Sequence, residues 1–269
     1  MTSDAGPRPP IDREHLLALL DGTVFDVDVL EESPSTNREV ADRARAGAPH
    51  GTTVVAEHQT AGRGRLDRTW ETPARAALTL SVLLRPDVPP VRWPWLPLLT
   101  GLAVHGALAD AGVVAGLKWP NDVLLGEQKV AGILVERVET DHGPAAVVGV
   151  GLNVSTTAEE LPVATATSLG LGAGVSPDRT ELLAGLLRAL AAELAGWRDD
   201  AADVLRSAYT AVCVTIGQEV RVDLPVGTPL TGRAVGIDEG GRLLVEHGDQ
   251  RTAVGAGDVI HVRPGPGVT

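Results

Sequence analysis

Residues 145–152 read AAVVGVGL and carry no polar side chain. A strand with one wet face alternates apolar and polar residues. A strand apolar at every position is covered on both faces. Other β-type runs accompany it. Thr53–Glu57 and Val130–Val138 read as strands, and Leu78, Leu80, Val82 and Leu84 alternate with the period of a half-buried strand. Helical patterns lie between them. One runs from about Asp12 to Leu20. A second starts at Thr36, which forms a capping-box pattern with Glu39, and runs to about Ala46 with Gly47 as the stop. A third spans Trp95–Ala111 and closes at Gly112. A fourth opens with Ser176 as N-cap and Pro177 at the first position, and carries Leu182, Leu183, Leu186, Leu187, Leu190, Leu194 and Trp197 on one face. A last helix extends to about Tyr209.

The pattern changes at Gly217. Short β-type runs follow, separated by Gly, Pro and Asp: Val220–Leu224, Thr231–Ile237, Arg242–Glu246 and Ala253–Val262. They predict a small β-barrel. The 269 residues suffice for one large and one small domain. The expected layout is an N-terminal extension over 1–24, an α+β domain over 25–213 and a compact β domain over 214–269. Residues 1–10 are rich in Pro and Gly and are expected to be disordered.

Composition excludes several classes. The formal net charge is −12, which disfavours nucleic acid as a partner because phosphate neutralisation drives that binding. The single cysteine, Cys213, cannot form an intramolecular disulfide, has apolar neighbours and suits core packing in a reducing cytoplasm. The N-terminus lacks signal-peptide character, and no apolar run is long enough to span a membrane. The seven histidines show no metal-ligand spacing, and no G-x-S-x-G motif is present.

Five short motifs carry the chemistry. Gly62-Arg63-Gly64-Arg65, with Arg68 and Trp70 behind it, is either a solvated basic turn or a loop that cradles an anion. Its spacing is not that of a P-loop. In Lys118-Trp119-Pro120-Asn121-Asp122, Pro120 biases Trp119 towards extended backbone. Asp122 is then either part of a turn or a carboxylate that holds Mg²⁺ with phosphate oxygens. Lys129 heads the apolar run Val130-Ala131-Gly132-Ile133-Leu134-Val135-Glu136, either as an edge-protecting lysine or as a counter-charge to an activated phosphate. Gly149 and Gly151, before Asn153, mark a bulge or a close backbone approach. Ser35-Thr36-Asn37 is the fifth.

In order and spacing these motifs resemble the biotin–protein ligase family, over roughly residues 30–263. The resemblance implies an α+β catalytic domain like class II aminoacyl-tRNA synthetases, with a mixed sheet and flanking helices, followed by an SH3-like C-terminal domain. It implies formation of biotinyl-AMP from biotin and MgATP, then transfer of biotin to a lysine of a biotin carboxyl-carrier domain of an acyl-CoA carboxylase. Ser35, Thr36, Asn37 and Gln59 would line the biotin pocket. Gly62, Arg63, Gly64 and Arg65 would form the mobile loop that closes over biotin and the adenylate. Lys129 would contact the biotin carboxylate and the α-phosphate. Gly132, Gly149 and Gly151 would let the backbone approach the ligand. Arg63, Arg65, Arg68, Trp70, Asn121, Lys129, Asn153 and Arg263 would surround the nucleotide, and Asp122 would help hold Mg²⁺. Arg65, Lys129 and Asp122 are the implied catalytic residues.

Two departures qualify the resemblance. Ala74-Arg75-Ala76-Ala77 stands where the family often has a Gly-Gly-Asn-type stretch. The residues ahead of the catalytic domain are too few for a helix-turn-helix. A monofunctional cytoplasmic ligase is expected, without DNA or membrane binding, as a monomer or weak homodimer. The alternatives are a lipoate- or octanoyl-transferring enzyme, a biotin-responsive repressor and a sensor without turnover.

Overall fold

The structure is a computed structural model that describes residues 6–66, 68–198, 202–224 and 227–262. The first part of the chain contains α1 (Arg13–Leu19), β1 (Asp26–Leu30), α2 (Thr36–Arg45), β2 (Thr52–Ala56), β3 (Gly62–Arg63), β4 (Thr69–Trp70) and β5 (Ala77–Leu84). After a 3₁₀ turn over Pro90–Trp95 come α3 (Leu96–Asp110), β6 (Gly116–Lys118), β7 (Asp122–Leu125), β8 (Gln128–Thr140) and β9 (Gly143–Asn153). Then follow α4 (Leu169–Gly172), α5 (Arg179–Arg198) and α6 (Ala202–Val212). The C-terminal strands are β10 (Glu219–Asp223), β11 (Leu230–Ile237), β12 (Leu243–His247), β13 (Gln250–Val254) and β14 (Asp258–His261).

Seven strands form a mixed sheet in the order β1-β2-β5-β9-β8-β7-β6, in which only β1 and β2 run parallel. The apolar run 145–152 is the middle of β9, at the sheet's centre, and is covered on both faces. On one face Val40, Ala41 and Ala44 of α2 pack on Val54, Leu83, Val138 and Val147. On the other, Leu80, Val82, Val148 and Val150 join the large core that holds α3 and α5. Helix α3 is buried on nearly every side, as a helix sandwiched between a sheet and α5 must be. The leucines expected on one face of α5 are buried, apart from the half-buried Leu194.

Several local expectations need correction. All eight residues of β5 are buried, not one face of it, because α2 fills the side that alternation assigned to water. Thr36 is the first helical residue, not the cap of a capping box. Ser35 is the extended N-cap, and Glu39 pairs forward with Arg43 at 3.1 Å. Helix α5 is capped by Asp178, not Ser176, because one Asp178 oxygen accepts from the N–H groups of both Thr180 and Glu181. The run Ala253–Val262 is two strands, β13 and β14, interrupted at Gly255-Ala256-Gly257. The β domain is thus a five-stranded antiparallel sheet ordered β13-β12-β11-β10-β14.

Residues 6–10, the described part of the segment expected to be disordered, are pinned. Arg8 forms a forked pair with Glu160. A buried ion pair holds the segment beyond it. Arg179 and Glu57 lie 2.6 Å apart with side chains 6% and 2% exposed. Arg179 also donates to the carbonyls of Pro9 and Ala77, and Glu57 accepts from Ile11 N–H at 2.5 Å. One pair therefore joins the N-terminal segment, β2, β5 and the start of α5. Removing one partner leaves a buried charge uncompensated. Arg179→Met is expected to lower the unfolding free energy by about 3–5 kcal/mol in chemical denaturation. A loss below about 1 kcal/mol, the range of exposed pairs, would show that the pair does not hold these elements together.

Candidate active site

Sheet register builds the site. In the α2-side layer Asp122 pairs with Gly132, Gly132 with Gly151, and Gly151 with Thr79. The next row is Leu134, Gly149 and Ser81. The three glycines leave a trough free of side chains across β8 and β9. Two groups descend into it. A Cβ on Gly149 would stand 2.1 Å from Asn37 Oδ1, and one on Gly151 would stand 2.4 Å from Trp70 Cε2. The close approach expected at these glycines is thus made by the chain's own Asn37 and Trp70. Gly62 plays the same part in the covering loop, where a Cβ would meet the Trp70 carbonyl at 2.3 Å.

That loop is a short hairpin of β3 and β4, closed by Gly64 N–H donating to Arg68 O at 2.6 Å. Leu66 at its tip has φ +55°, a left-handed conformation that costs a β-carbon-bearing residue energy. The hairpin and trough enclose a cleft with about 800 Å³ of empty space, part of it open to solvent. Its lining includes Ser35, Thr36, Asn37, Gln59, Arg63, Gly64, Arg65, Arg68, Trp70, Asn121, Asp122, Lys129, Gly132, Gly149 and Gly151. Sequence motifs far apart in the chain therefore meet in one place.

Polarity is divided along the cleft. At the Gly132 end lie Lys129, Asp122 and Arg65. Lys129 Nζ is 2.6 Å from Asp122 Oδ1 and 5.8 Å from the Trp70 ring centre. The Lys129 backbone is clamped by Thr165 O and Thr167 N–H, each at 2.8 Å. Arg65 donates to Asn121 Oδ1 at 2.9 Å and to Gly257 O at 3.3 Å. Burial pushes the Arg65 guanidinium down, and the charges of Asp258 and Asp122 act against that. At the Gly149 end hydroxyl and amide groups predominate, and Arg63 is paired with Glu136 at 2.9 Å. Thr36 N–H donates to Gln59 Oε1 at 2.8 Å, while Ser81 Oγ lies 2.6 Å from Asn37 Oδ1 and 2.7 Å from Thr36 Oγ1.

Some expected residues stand apart. Asn153 is buried and its Nδ2 donates to Thr167 O at 2.9 Å, outside the cleft lining. Gly62 pairs with Trp70 within the hairpin and does not line the cleft. Arg263 lies outside the described residues. Other residues were not anticipated. Asp258, on the C-terminal sheet, pairs with Arg68 across the cleft and pushes the Arg68 guanidinium up. Leu66, Leu80 and Val150 contribute apolar lining, and Ser81 lies beneath Thr36 and Asn37. No motif signals Asp258, because its place depends on how the two sheets meet. That junction is held by Trp119 N–H donating to Thr215 Oγ1 at 3.1 Å, by Trp119 Nε1 donating to Gly241 O at 3.1 Å, and by Trp95 Nε1 donating to Glu239 O at 2.7 Å. Cys213 is buried, and burial pushes its thiol up, away from nucleophilic character.

Residues 29–153 match the model of the Biotin/lipoate A/B protein ligase family, and residues 215–262 match the Biotin protein ligase C terminal domain. A biotin--[acetyl-CoA-carboxylase] ligase of Mycobacterium tuberculosis is 43% identical over 98% of this chain and 100% of its own length. The chain belongs to the biotin protein ligase family. The bifunctional ligase/repressor BirA of Escherichia coli is 33% identical, over 88% of this chain and 73% of that protein. The biotin protein ligase of Aquifex aeolicus, solved in complex with biotin and ATP, aligns with a TM-score of 0.76 and 30% identity, over 89% of this chain and 99% of that one. Like those ligases, the chain combines a mixed sheet and flanking helices with a C-terminal antiparallel sheet. Among the described residues no helix is long and apolar enough to cross a membrane.

Gly151→Ala tests the trough. It is expected to lift the Trp70 indole off the sheet. The other four tryptophans are at most 9% exposed, so the change reads as increased acrylamide quenching of fluorescence. Unchanged quenching would refute the packing of Trp70 on Gly151.

Proposed function

We propose that this chain is an ATP-dependent biotin–protein ligase that forms biotinyl-AMP and passes biotin to a lysine of a carrier domain of an acyl-CoA carboxylase. The observation that carries this reading is the divided cleft. Neutral hydroxyl and amide groups at one end suit a ureido ring, and Arg65, Lys129 and Asp122 at the other suit a carboxylate meeting a triphosphate.

Both reactants are anionic, so bringing them together requires positive charge. Lys129 and Arg65 supply it in a partly desolvated site, where it counts for more than in water. One biotin carboxylate oxygen attacks the α-phosphorus and pyrophosphate departs. Asp122 and the ATP phosphates would hold Mg²⁺, which offsets the charge on the leaving group. One carboxylate with phosphate oxygens is a donor set this ion accepts, and Asp122 faces the cleft. Trp70 packs at the nucleotide, and the β3–β4 hairpin shields the mixed anhydride from water. The acceptor lysine's neutral amine then attacks the carbonyl, the acyl–oxygen bond breaks and AMP leaves.

In this reading residues 25–213 form the catalytic unit, akin to class II aminoacyl-tRNA synthetases, and residues 214–269 form an SH3-like unit that brings Asp258 and Gly257 to the cleft. The test is pyrophosphate release with ATP and Mg²⁺, offering biotin, lipoate or octanoate as the sole acid. Release is expected with biotin only, and Lys129→Ala is expected to reduce it by about 10²–10³-fold. Release with lipoate instead would keep the adenylation chemistry and overturn the substrate. Biotin binding without release under any condition would favour a sensor.

A further inference from the structure

Beneath the neutral end of the cleft runs a chain of polar contacts that starts at Glu136. Arg63 Nη2 reaches both Glu136 oxygens, at 3.1 and 2.9 Å. Asn37 Nδ2 donates to Glu136 Oε2 at 2.7 Å and to Leu134 O at 3.3 Å. Asn37 Oδ1 lies 2.6 Å from Ser81 Oγ, Ser81 Oγ 2.7 Å from Thr36 Oγ1, and Thr36 Oγ1 3.1 Å from Gln59 Oε1.

The direction of each proton follows from what each group can do. A carboxylate and a carbonyl only accept, so Asn37 must turn its NH₂ towards Glu136 and Leu134 and its oxygen towards Ser81. That oxygen also only accepts, so the single Ser81 proton goes to Asn37. The shorter of the two Thr36 contacts, 2.7 Å to Ser81, then takes the Thr36 proton. At the other end a backbone N–H only donates, so Gln59 presents its oxygen to Thr36 N–H. Two acceptors, Thr36 Oγ1 and Gln59 Oε1, are left 3.1 Å apart with no proton between them. Both residues line the cleft. Two facing acceptors repel until a donor enters between them.

We infer that Glu136 and Ser81 are positioning residues that set the hydrogen-bond polarity of this end of the cleft, so that it demands an N–H from the ligand and rejects a lone pair. The inference rests on the biotin reading for the ligand's identity. Within that reading it explains how a neutral subsite distinguishes a ureido ring from the dithiolane of lipoate or the alkyl chain of octanoate, neither of which carries a donor. Unmet polar demand discriminates more strongly than a difference in apolar contact. Ser81 is buried and does not line the cleft, so it acts only through Thr36 and Asn37.

The test compares calorimetric binding of biotin with two analogues in which one or the other ureido N–H is replaced by oxygen. In the wild-type protein one analogue is expected to bind at least about tenfold more weakly than biotin. Glu136→Gln allows the Asn37 amide to turn, and Ser81→Ala removes the relay. In both variants the affinity ratio between biotin and that analogue is expected to fall by about tenfold. A purely structural effect would weaken both ligands together and leave the ratio unchanged, which would overturn the inference. A fall in only one variant would overturn the role of the other residue. If Glu136→Gln does not fold, Ser81→Ala alone decides through the same ratio. Neutron diffraction of the free protein provides a readout independent of the ligand. Deuterium is expected on Ser81 Oγ facing Asn37 and on Thr36 Oγ1 facing Ser81, and a Thr36 deuterium facing Gln59 would overturn the inference. Failure of the wild-type protein to bind biotin would instead overturn the ligase reading, with the neutron result still deciding the proton order.

Discussion

A central strand with glycine at alternate positions cannot fill the space above one of its faces. Gly149 and Gly151 leave that gap in β9, and the register places Gly132 of β8 beside Gly151. Most of the site depends on this gap. Asn37 drops into the part above Gly149, and the Trp70 indole lies in the part above Gly151. The empty volume that remains is the cleft. A Cβ at Gly149 or Gly151 would collide with one of these two groups, so the glycines organise the site without offering it a functional group.

Charge in the cleft is arranged with equal economy. The net charge of −12 belongs to the whole chain, yet Arg63, Arg65, Arg68 and Lys129 meet at one opening. Acidic partners on three strands, Glu136, Asp122 and Asp258, together with the amide oxygen of Asn121, hold these cations in place. The partners fix side chains that would otherwise lose much rotamer freedom on meeting an anionic ligand. The C-terminal sheet takes part directly, since Asp258 and Gly257 hold two arginines of the hairpin. It is therefore part of the site's wall and not merely an appended module.

In the proposed function the two ends of the cleft divide the work of recognition. The Arg65–Lys129–Asp122 end would serve any carboxylic acid that is to be adenylated. In the same reading, the Thr36–Gln59 end, with Ser81 and Glu136 behind it, would tell one acid from another. Substitutions at the first end should change rate, and substitutions at the second should change which acid is used.

Local pattern alone carried much of this. The apolar run 145–152 identified the central strand, the leucine spacing identified α5, and the change at Gly217 located the second sheet, because periodicity and turn chemistry depend only on neighbours in sequence. Motif chemistry picked out the basic loop, Asp122, Lys129 and the glycines, since residue types suited to anions and to close backbone approach stand out even in a linear chain; Ser35, Thr36, Asn37 and Gln59 came only from the family resemblance. Tertiary structure decided what neighbours cannot encode. The wet face expected for β5 is dry because α2 covers it. The helix start expected at Ser176 shifted to Asp178, whose carboxylate satisfies two backbone donors at once. Asn153, which the resemblance puts near the nucleotide, turns its amide to Thr167 and lies outside the cleft lining. Asp258 enters the cleft from a different sheet. Burial, register and the meeting of two sheets are set by contacts between residues distant in sequence, and those contacts exist only once the chain has folded.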